Sequence, residues 1–379
     1  MNRKSLWASC LLIAGFSVLA VAGDKMSVEE RLTQLEKEMQ EVSVTTREGQ
    51  LTASFARGKA NDQEWYAEVG PLLWHAKGGG LDWVLQFNQA NLPHQGRMKY
   101  MDFGWDWGVR VGLGHYFERD GWDLGATYTY FQTNDSQHVY TDFLTYDEIT
   151  ESNASGRTRG GFSGRVTLNE VDVLLGKDYF ISHYVSLHPT VGIEAVWLDQ
   201  KYKLSTSNYI NALQTSIPVE GTLDSHSHER TKVFGIGPRL GIDANIFFYN
   251  HFKMLGAASL GLLQGYYKVT EYQDFAINPT NSEPVLTDID LKGNMHRLFP
   301  HGRMLLGLAW SDMLKNGKYR LEVSGAYEVN YFWRANQDLD EMNSSPSIPV
   351  FSAPFRLIMK RLSEDMAFYG VTFKIKLDF

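Results

Sequence analysis

Thirteen charged residues could act together if the chain brings them onto one enclosed surface: Arg110, Asp123, Glu170, Asp172, Glu194, Arg239, Asp243, Arg303, Arg320, Glu322, Glu328, Lys374 and Lys376. Six are basic and seven acidic. Such a set can pair with itself or line a hydrated passage; only rings of one sign would select strongly between ions. Smaller constellations carry less. His226-Ser227-His228-Glu229 offers metal-ligating types, but it stands in a polar stretch without a further ligand cluster, so an exposed loop is the better account. Asp172, His188 and Glu194 form an acid–base set only if strand pairing sets them side by side. The sequence has no nucleophile elbow, HExxH helix or phosphate loop. An enzyme, a cofactor and a metal are therefore not expected.

The elements that must position these charges are strands. Most of these charges fall between apolar residues at a spacing of two, and side chains of a strand alternate between its faces. The last stretch is the clearest case. Tyr369, Val371, Phe373, Ile375, Leu377 and Phe379 share one face, opposite Gly370, Thr372, Lys374, Lys376 and Asp378. An apolar face that continues to the last residue suits a strand with lipid on one side and polar groups on the other.

Composition points the same way. Aromatic residues make up 13% of 379 residues, yet mean hydropathy is −0.29. Beyond the first 22 residues, nothing offers the roughly 18 consecutive apolar residues of a membrane helix. If the chain spans a membrane it must therefore be a closed barrel, because lipid cannot satisfy an open sheet edge. Residues 1–22 read as a signal peptide: Arg3 and Lys4 precede an apolar run, Leu6 to Val21, and Ala20-Val21-Ala22 is a small-x-small site. Cleavage there removes Cys10, the one cysteine, and leaves no disulfide and no thiol ligand. It also removes two positive charges, taking the formal net charge from −8 to −10, which argues against nucleic acid.

Residues 23–63 read as a periplasmic segment. Within 26–44, Val28, Leu32, Leu35, Met39 and Val42 are spaced 4, 3, 4 and 3 apart, a short coiled-coil-like helix that could drive homo-oligomerisation, as a trimer for example. Residues 64–379 read as an up-and-down antiparallel β-barrel with short turns on one side and long connections on the other. Short turns are expected at Glu118–Gly121, Ile181–His183, Tyr249–His251 and Asn316-Gly317. Long connections are expected over about Gln132–Arg165, Lys201–Arg230, from Tyr272 to near Arg297, and Arg334–Asp365. Taking Glu64–Phe87 as one strand, despite Gly78-Gly79-Gly80, gives about ten strands, with twelve as the alternative.

Four stretches carry a family resemblance: GWDLGATYTYFQT (121–133), DYFISHYVSLHPTVGIEAVWLDQKY (178–202), VFGIGPRLGIDAN (233–245) and the terminal YGVTFKIKLDF. They resemble the Legionella-type and chlamydial-type major outer membrane protein family. The resemblance implies an exported, pore-forming barrel of a Gram-negative outer membrane and allows for an oligomer. The terminal strand, Tyr369 to Phe379, is similar to the signal read by the barrel assembly machinery. Chlamydial members are rich in cysteine, and the absence of cysteine after the leader here argues against a disulfide-linked envelope network. The expected function is a porin, a water-filled channel for small hydrophilic solutes and ions lined by the thirteen charges. The alternative is a structural or adhesive barrel with a closed lumen and working surface loops. Outer-membrane lipid and lipopolysaccharide are the expected surroundings; basic, Gly-rich GRTRGGFSGR (156–165) reads as a surface loop, or more sharply as a lipopolysaccharide contact.

Overall fold

The computed structural model describes residues 64–88, 95–117, 122–141, 144–145, 158–182, 184–214, 217–249, 251–279, 285–314, 318–343 and 357–379. The leader, the heptad residues Val28, Leu32, Leu35, Met39 and Val42, and most residues of the expected short turns lie outside them.

All described secondary structure is β. In chain order the strands are β1 (Trp65–Gly78), β2 (Asp82–Asn88), β3 (Gln95–Tyr100), β4 (Trp105–Tyr116), β5 (Trp122–Thr141), β6 (Leu144–Thr145) and β7 (Thr158–Lys177). There follow β8 (Tyr179–Ser182), β9 (Val185–Gln214), β10 (Ile217–Tyr249), β11 (Phe252–Pro279), β12 (Val285–Leu314), β13 (Tyr319–Asn343) and β14 (Leu357–Asp378). Ten of them, β1, β4, β5, β7 and β9 to β14, pair in that order as an antiparallel barrel. The extra strand β8 lies on β9, and β2, β3 and β6 form a separate small sheet. The seam is β14 on β1, where the Trp65 N–H donates to the Phe379 carbonyl at 2.9 Å and the Phe379 N–H to the Trp65 carbonyl at 2.8 Å.

Glu64–Phe87 is thus not one strand. Gly78-Gly79-Gly80 breaks it, with Gly80 at φ +70°, a conformation glycine adopts without cost. The ten-strand count survives because β2 and β3 stand outside the barrel.

The expected long connections are mostly strand. β5 runs on to Thr141 and β7 starts at Thr158; β9 and β10 continue to Gln214 and from Ile217; β11 to β14 extend likewise. His226-Ser227-His228-Glu229 lies within β10, and residues 158–165 of the Gly-rich stretch lie within β7. Strand beyond a membrane has water outside, so the apolar alternation that marks a strand disappears there while the hydrogen-bond ladder continues.

Outside, the alternation is as the terminal stretch suggested. Trp105, Trp107, Val109, Val111 and Leu113 on β4, and Phe373, Ile375, Leu377 and Phe379 at the chain end, are exposed apolar side chains; Tyr369 and Val371 are part-buried. On β10 the outward apolar face runs from Phe234 to Phe248. Fourteen residue-to-residue steps at about 3.3 Å each and a tilt near 40° give roughly 35 Å along the membrane normal, a band and its flanking girdles.

Candidate functional site: the barrel interior

Inward positions divide the barrel into three levels. The level nearest Glu64 and Phe379 is a cavity of about 290 Å³. Its walls include Glu68, Asp123, Asp243, Lys253, Arg320, Glu322, Lys374 and Lys376. Lys253 Nζ lies 2.7 Å from Glu322, His188 lies 2.8 Å from Asp178 and 3.4 Å from Asp123, and Lys374 lies 3.7 Å from Glu68. Lys376 sits 3.9 Å over the Tyr66 ring and donates to the Tyr116 hydroxyl at 3.0 Å. Tyr66 finds room because Gly114 and Gly125 face it; a Cβ at either would overlap the phenol.

The middle level is a layer of ion pairs. Arg110 donates from Nη1 to Glu328 Oε2 and from Nη2 to Glu328 Oε1, both at 2.9 Å, and Arg303 Nε meets the same carboxylate at 2.6 Å. The Thr372 hydroxyl adds a bond to Glu328 at 2.7 Å. Arg239 Nη1 lies 2.6 Å from Asp172 and 3.0 Å from Glu170, and His301 Nδ1 lies 2.5 Å from Glu194. Asp172 and Glu194 are direct cross-strand partners, which places their carboxylates side by side. All four carboxylates are at most 1% exposed. Burial of a charge is tolerable only with a partner of opposite sign and hydrogen bonds, and this layer supplies both. Three guanidiniums and the His301 imidazole face four carboxylates.

The third level is apolar. Trp74, Phe131, Phe299, Phe332 and Phe368 are at most 1% exposed and pack with Leu72, Leu168, Leu263 and Met366. Phe368 meets Phe131 and Phe332 edge-on at 5.8 and 5.9 Å, and His301 stacks on Phe332 at 3.9 Å, joining this level to the ion pairs below. Trp74 joins them too: its Nε1 donates to Thr372 Oγ1 at 3.1 Å, and Arg110 lies 5.5 Å over its ring. Gly235 and Gly265 leave the volume that Phe299 fills. Leu81, Met101 and Phe103, from the chain between β1 and β4, complete the cluster.

All thirteen charges of the sequence set face this interior, where nine of them are buried. Arg110, Glu170, Asp172, Glu194, Arg239, Arg303 and Glu328 form the paired layer; Asp123, Asp243, Arg320, Glu322, Lys374 and Lys376 surround the cavity. His188 does not join Asp172 and Glu194; it pairs with Asp123 and Asp178 instead. Sequence reasoning missed His301, Lys253 and the apolar level. A signal for the last was present: at Tyr130-Phe131, Leu298-Phe299, Tyr331-Phe332-Trp333 and Phe368-Tyr369 adjacent residues are both large and apolar, so neither face of the strand is wet.

Glu170, Glu194 and His301 each offer a ligand atom within 4.8 Å of the others, the spacing of a metal site. Arg239, 3.0 Å from Glu170 and 3.9 Å from Glu194, already supplies positive charge there and would repel a cation. The trio fits an ion-pair layer better than a metal centre.

Among solved structures, the outer membrane protease OmpT of Escherichia coli is similar over 83% of this chain and 97% of its own, at 9% identity and a TM-score of 0.41. Ail, the attachment invasion locus protein of Yersinia pestis, covers 57% of this chain and 98% of its own at 13% identity and a TM-score of 0.20. The toluene transporter TodX of Pseudomonas putida covers 86% and 92% at 8% identity and a TM-score of 0.24. At these scores the likenesses carry no argument about activity. No curated protein matches the chain. The model of the Legionella pneumophila major outer membrane protein precursor matches residues 60–379, and the chain belongs to that outer membrane protein family.

Proposed function

We propose that this outer-membrane barrel keeps its lumen closed and works through the wall and loops it raises above the membrane, as a structural or adhesive protein without a catalytic step. The observation that carries this reading is the double closure: an ion-paired layer, and above it Trp74, Phe131, Phe299, Phe332 and Phe368 at 1% exposure or less. Side chains buried to that degree favour a closed lumen over a hydrated path. The wall supports it as well. Of the 33 residues of β10, those from Ile217 to Val233 lie beyond the apolar band, and at about 3.3 Å each they add roughly 55 Å of strand on the loop side.

Diffusion of small hydrophilic solutes and ions, a porin role lined by the thirteen charges, is the second reading. The charged cavity of about 290 Å³ favours it. It requires both upper levels to part. Planar-bilayer conductance separates the two: the closed-lumen reading expects no sustained unitary currents from folded, heat-modifiable protein, and discrete channels in such a sample would replace it with the porin reading.

In either case, residues 1–22 serve as the export signal, the strand Tyr369–Phe379 as the segment taken up by the barrel assembly machinery, and the 26–44 heptads as a homo-oligomerisation segment.

A further inference from the structure

On the loop side of the apolar band, the outer face of the barrel changes from aromatic to cationic within two residues. Trp197 on β9, Phe234 on β10 and Tyr266 on β11 are direct cross-strand partners, with ring centroids 5.2 and 6.1 Å apart. They form the upper aromatic row of the band, the place where ring side chains meet the membrane interface. The next outward row pairs Asp199 with Lys232 and Lys232 with Lys268. The row after it pairs Arg165 with Lys201 and Lys201 with Arg230.

Like charges at directly paired positions weaken a sheet. Here three such pairs adjoin: Arg165 with Lys201, Lys201 with Arg230, and Lys232 with Lys268. Asp199 offsets only part of this, bonding Arg230 at 2.6 and 2.9 Å and lying 3.7 Å from Lys201. Five cations against one carboxylate leave a net charge of +4 on a chain whose formal net charge is −8. Lys292, at the end of the upper row, is taken up by Asp290 at 2.6 Å. Arg165, Lys232 and Lys268 are exposed, and the Lys201 and Arg230 side chains are about two-fifths exposed.

Two and four residues beyond the aromatic row correspond to about 7 and 13 Å along a strand, the depth of lipid headgroups rather than of an aqueous partner. Basic side chains at that depth attract anionic headgroups. Since barrel loops lie on the outer side, those headgroups belong to the outer leaflet. We propose that the outward face of β7, β9, β10 and β11 formed by Arg165, Lys201, Arg230, Lys232 and Lys268 binds the phosphate groups of an acylated, phosphorylated sugar lipid, whose chains lie on Trp197, Phe234 and Tyr266. This site rests on the membrane position of the apolar band and is independent of whether the lumen conducts.

The test uses folded, full-length protein in neutral detergent, with diphosphorylated lipid A, the same lipid stripped of phosphate, and inorganic phosphate as probes. Wild-type protein retains the diphosphorylated lipid at least about tenfold more tightly than the stripped one, and Arg165→Gln/Lys201→Gln/Lys232→Gln/Lys268→Gln lowers that retention by about tenfold or more. Millimolar phosphate does not displace the lipid. Because the substitution removes repulsion, the variant's unfolding temperature without lipid is no lower than wild type. Lys232→Gln/Lys268→Gln, which leaves the Arg230–Asp199 pair intact, gives an intermediate loss in case the fourfold variant fails to fold. Equal retention of the two lipids, unchanged retention by the variants, displacement by phosphate alone, or a destabilised lipid-free double variant would each overturn the assignment.

Discussion

Arg110 on β4 and Glu328 on β13 are 218 positions apart in the chain, yet they meet inside the barrel in a two-pronged ion pair with both N···O distances at 2.9 Å. Planar guanidinium and planar carboxylate are matched for this geometry; the Glu328 carboxylate is fully buried, and Arg110 stands at the cavity wall with its side chain 8% exposed. Arg303 shares the same carboxylate, so Glu328 is the member on which two cations depend.

That dependence gives the first prediction. Glu328→Met leaves buried Arg110 and part-buried Arg303 without their main partner and lowers stability by about 3–5 kcal/mol. Arg110→Met/Glu328→Met, which removes both charges of the pair, costs less than Glu328→Met alone. Denaturant unfolding in detergent, followed by heat-modifiable mobility, measures both. Equal losses would mean that the pair contributes through shape and not through charge.

The apolar level should respond as a core. Phe332 contacts His301 face to face and Phe368 edge-on, and it is buried. Phe332→Ala therefore costs about 3–5 kcal/mol. Phe131→Ala/Phe368→Ala, which removes two rings in mutual contact, is expected to let water and small ions through intermittently, where the closed-lumen reading expects no current from wild type. Single-channel recording reads this directly.

Faces of the closing strand can be told apart. Phe373 lies outward and six residues from Phe379, near mid-depth, so Phe373→Arg puts a charge in hydrocarbon at a cost of about 2–4 kcal/mol. Lys374 faces the cavity with a loose 3.7 Å contact to Glu68, and Lys374→Gln changes stability by less than about 1 kcal/mol. Comparing the folded fraction delivered to the outer membrane tests this; equal defects would reverse the assignment of faces.

For the segment that precedes the described residues, Leu32→Ser/Leu35→Ser is expected to lower the oligomer size in detergent without affecting the barrel. An unchanged size would remove the coiled-coil reading.

Most strand faces, the count of about ten strands and the inward direction of the thirteen charges were legible in the sequence because lipid and interior impose opposite polarities at period two; the face of Lys253–Tyr272 was not. Strand ends were not. Past Trp197 and Phe234 the outer side of the wall turns polar, and His226 to Glu229 looks like a loop although it continues the ladder of β10. The barrel interior was legible only in part. Glu170, Asp172 and Glu194 were placed on the inner face, but their partner Arg239 comes from another strand, and spacing along one strand says nothing about reach across the lumen.

By itself, then, the sequence determined the alternation, the closure at Phe379 and the membrane side of most strands, all of which follow from side-chain direction along a single segment. The tertiary structure alone decided that Arg110 closes on Glu328, that Phe131, Phe332 and Phe368 meet above them, and that Arg165, Lys201 and Arg230 stand in one row. Those relations depend on register between strands and on the chord across the barrel. Both are fixed only when all ten strands have closed.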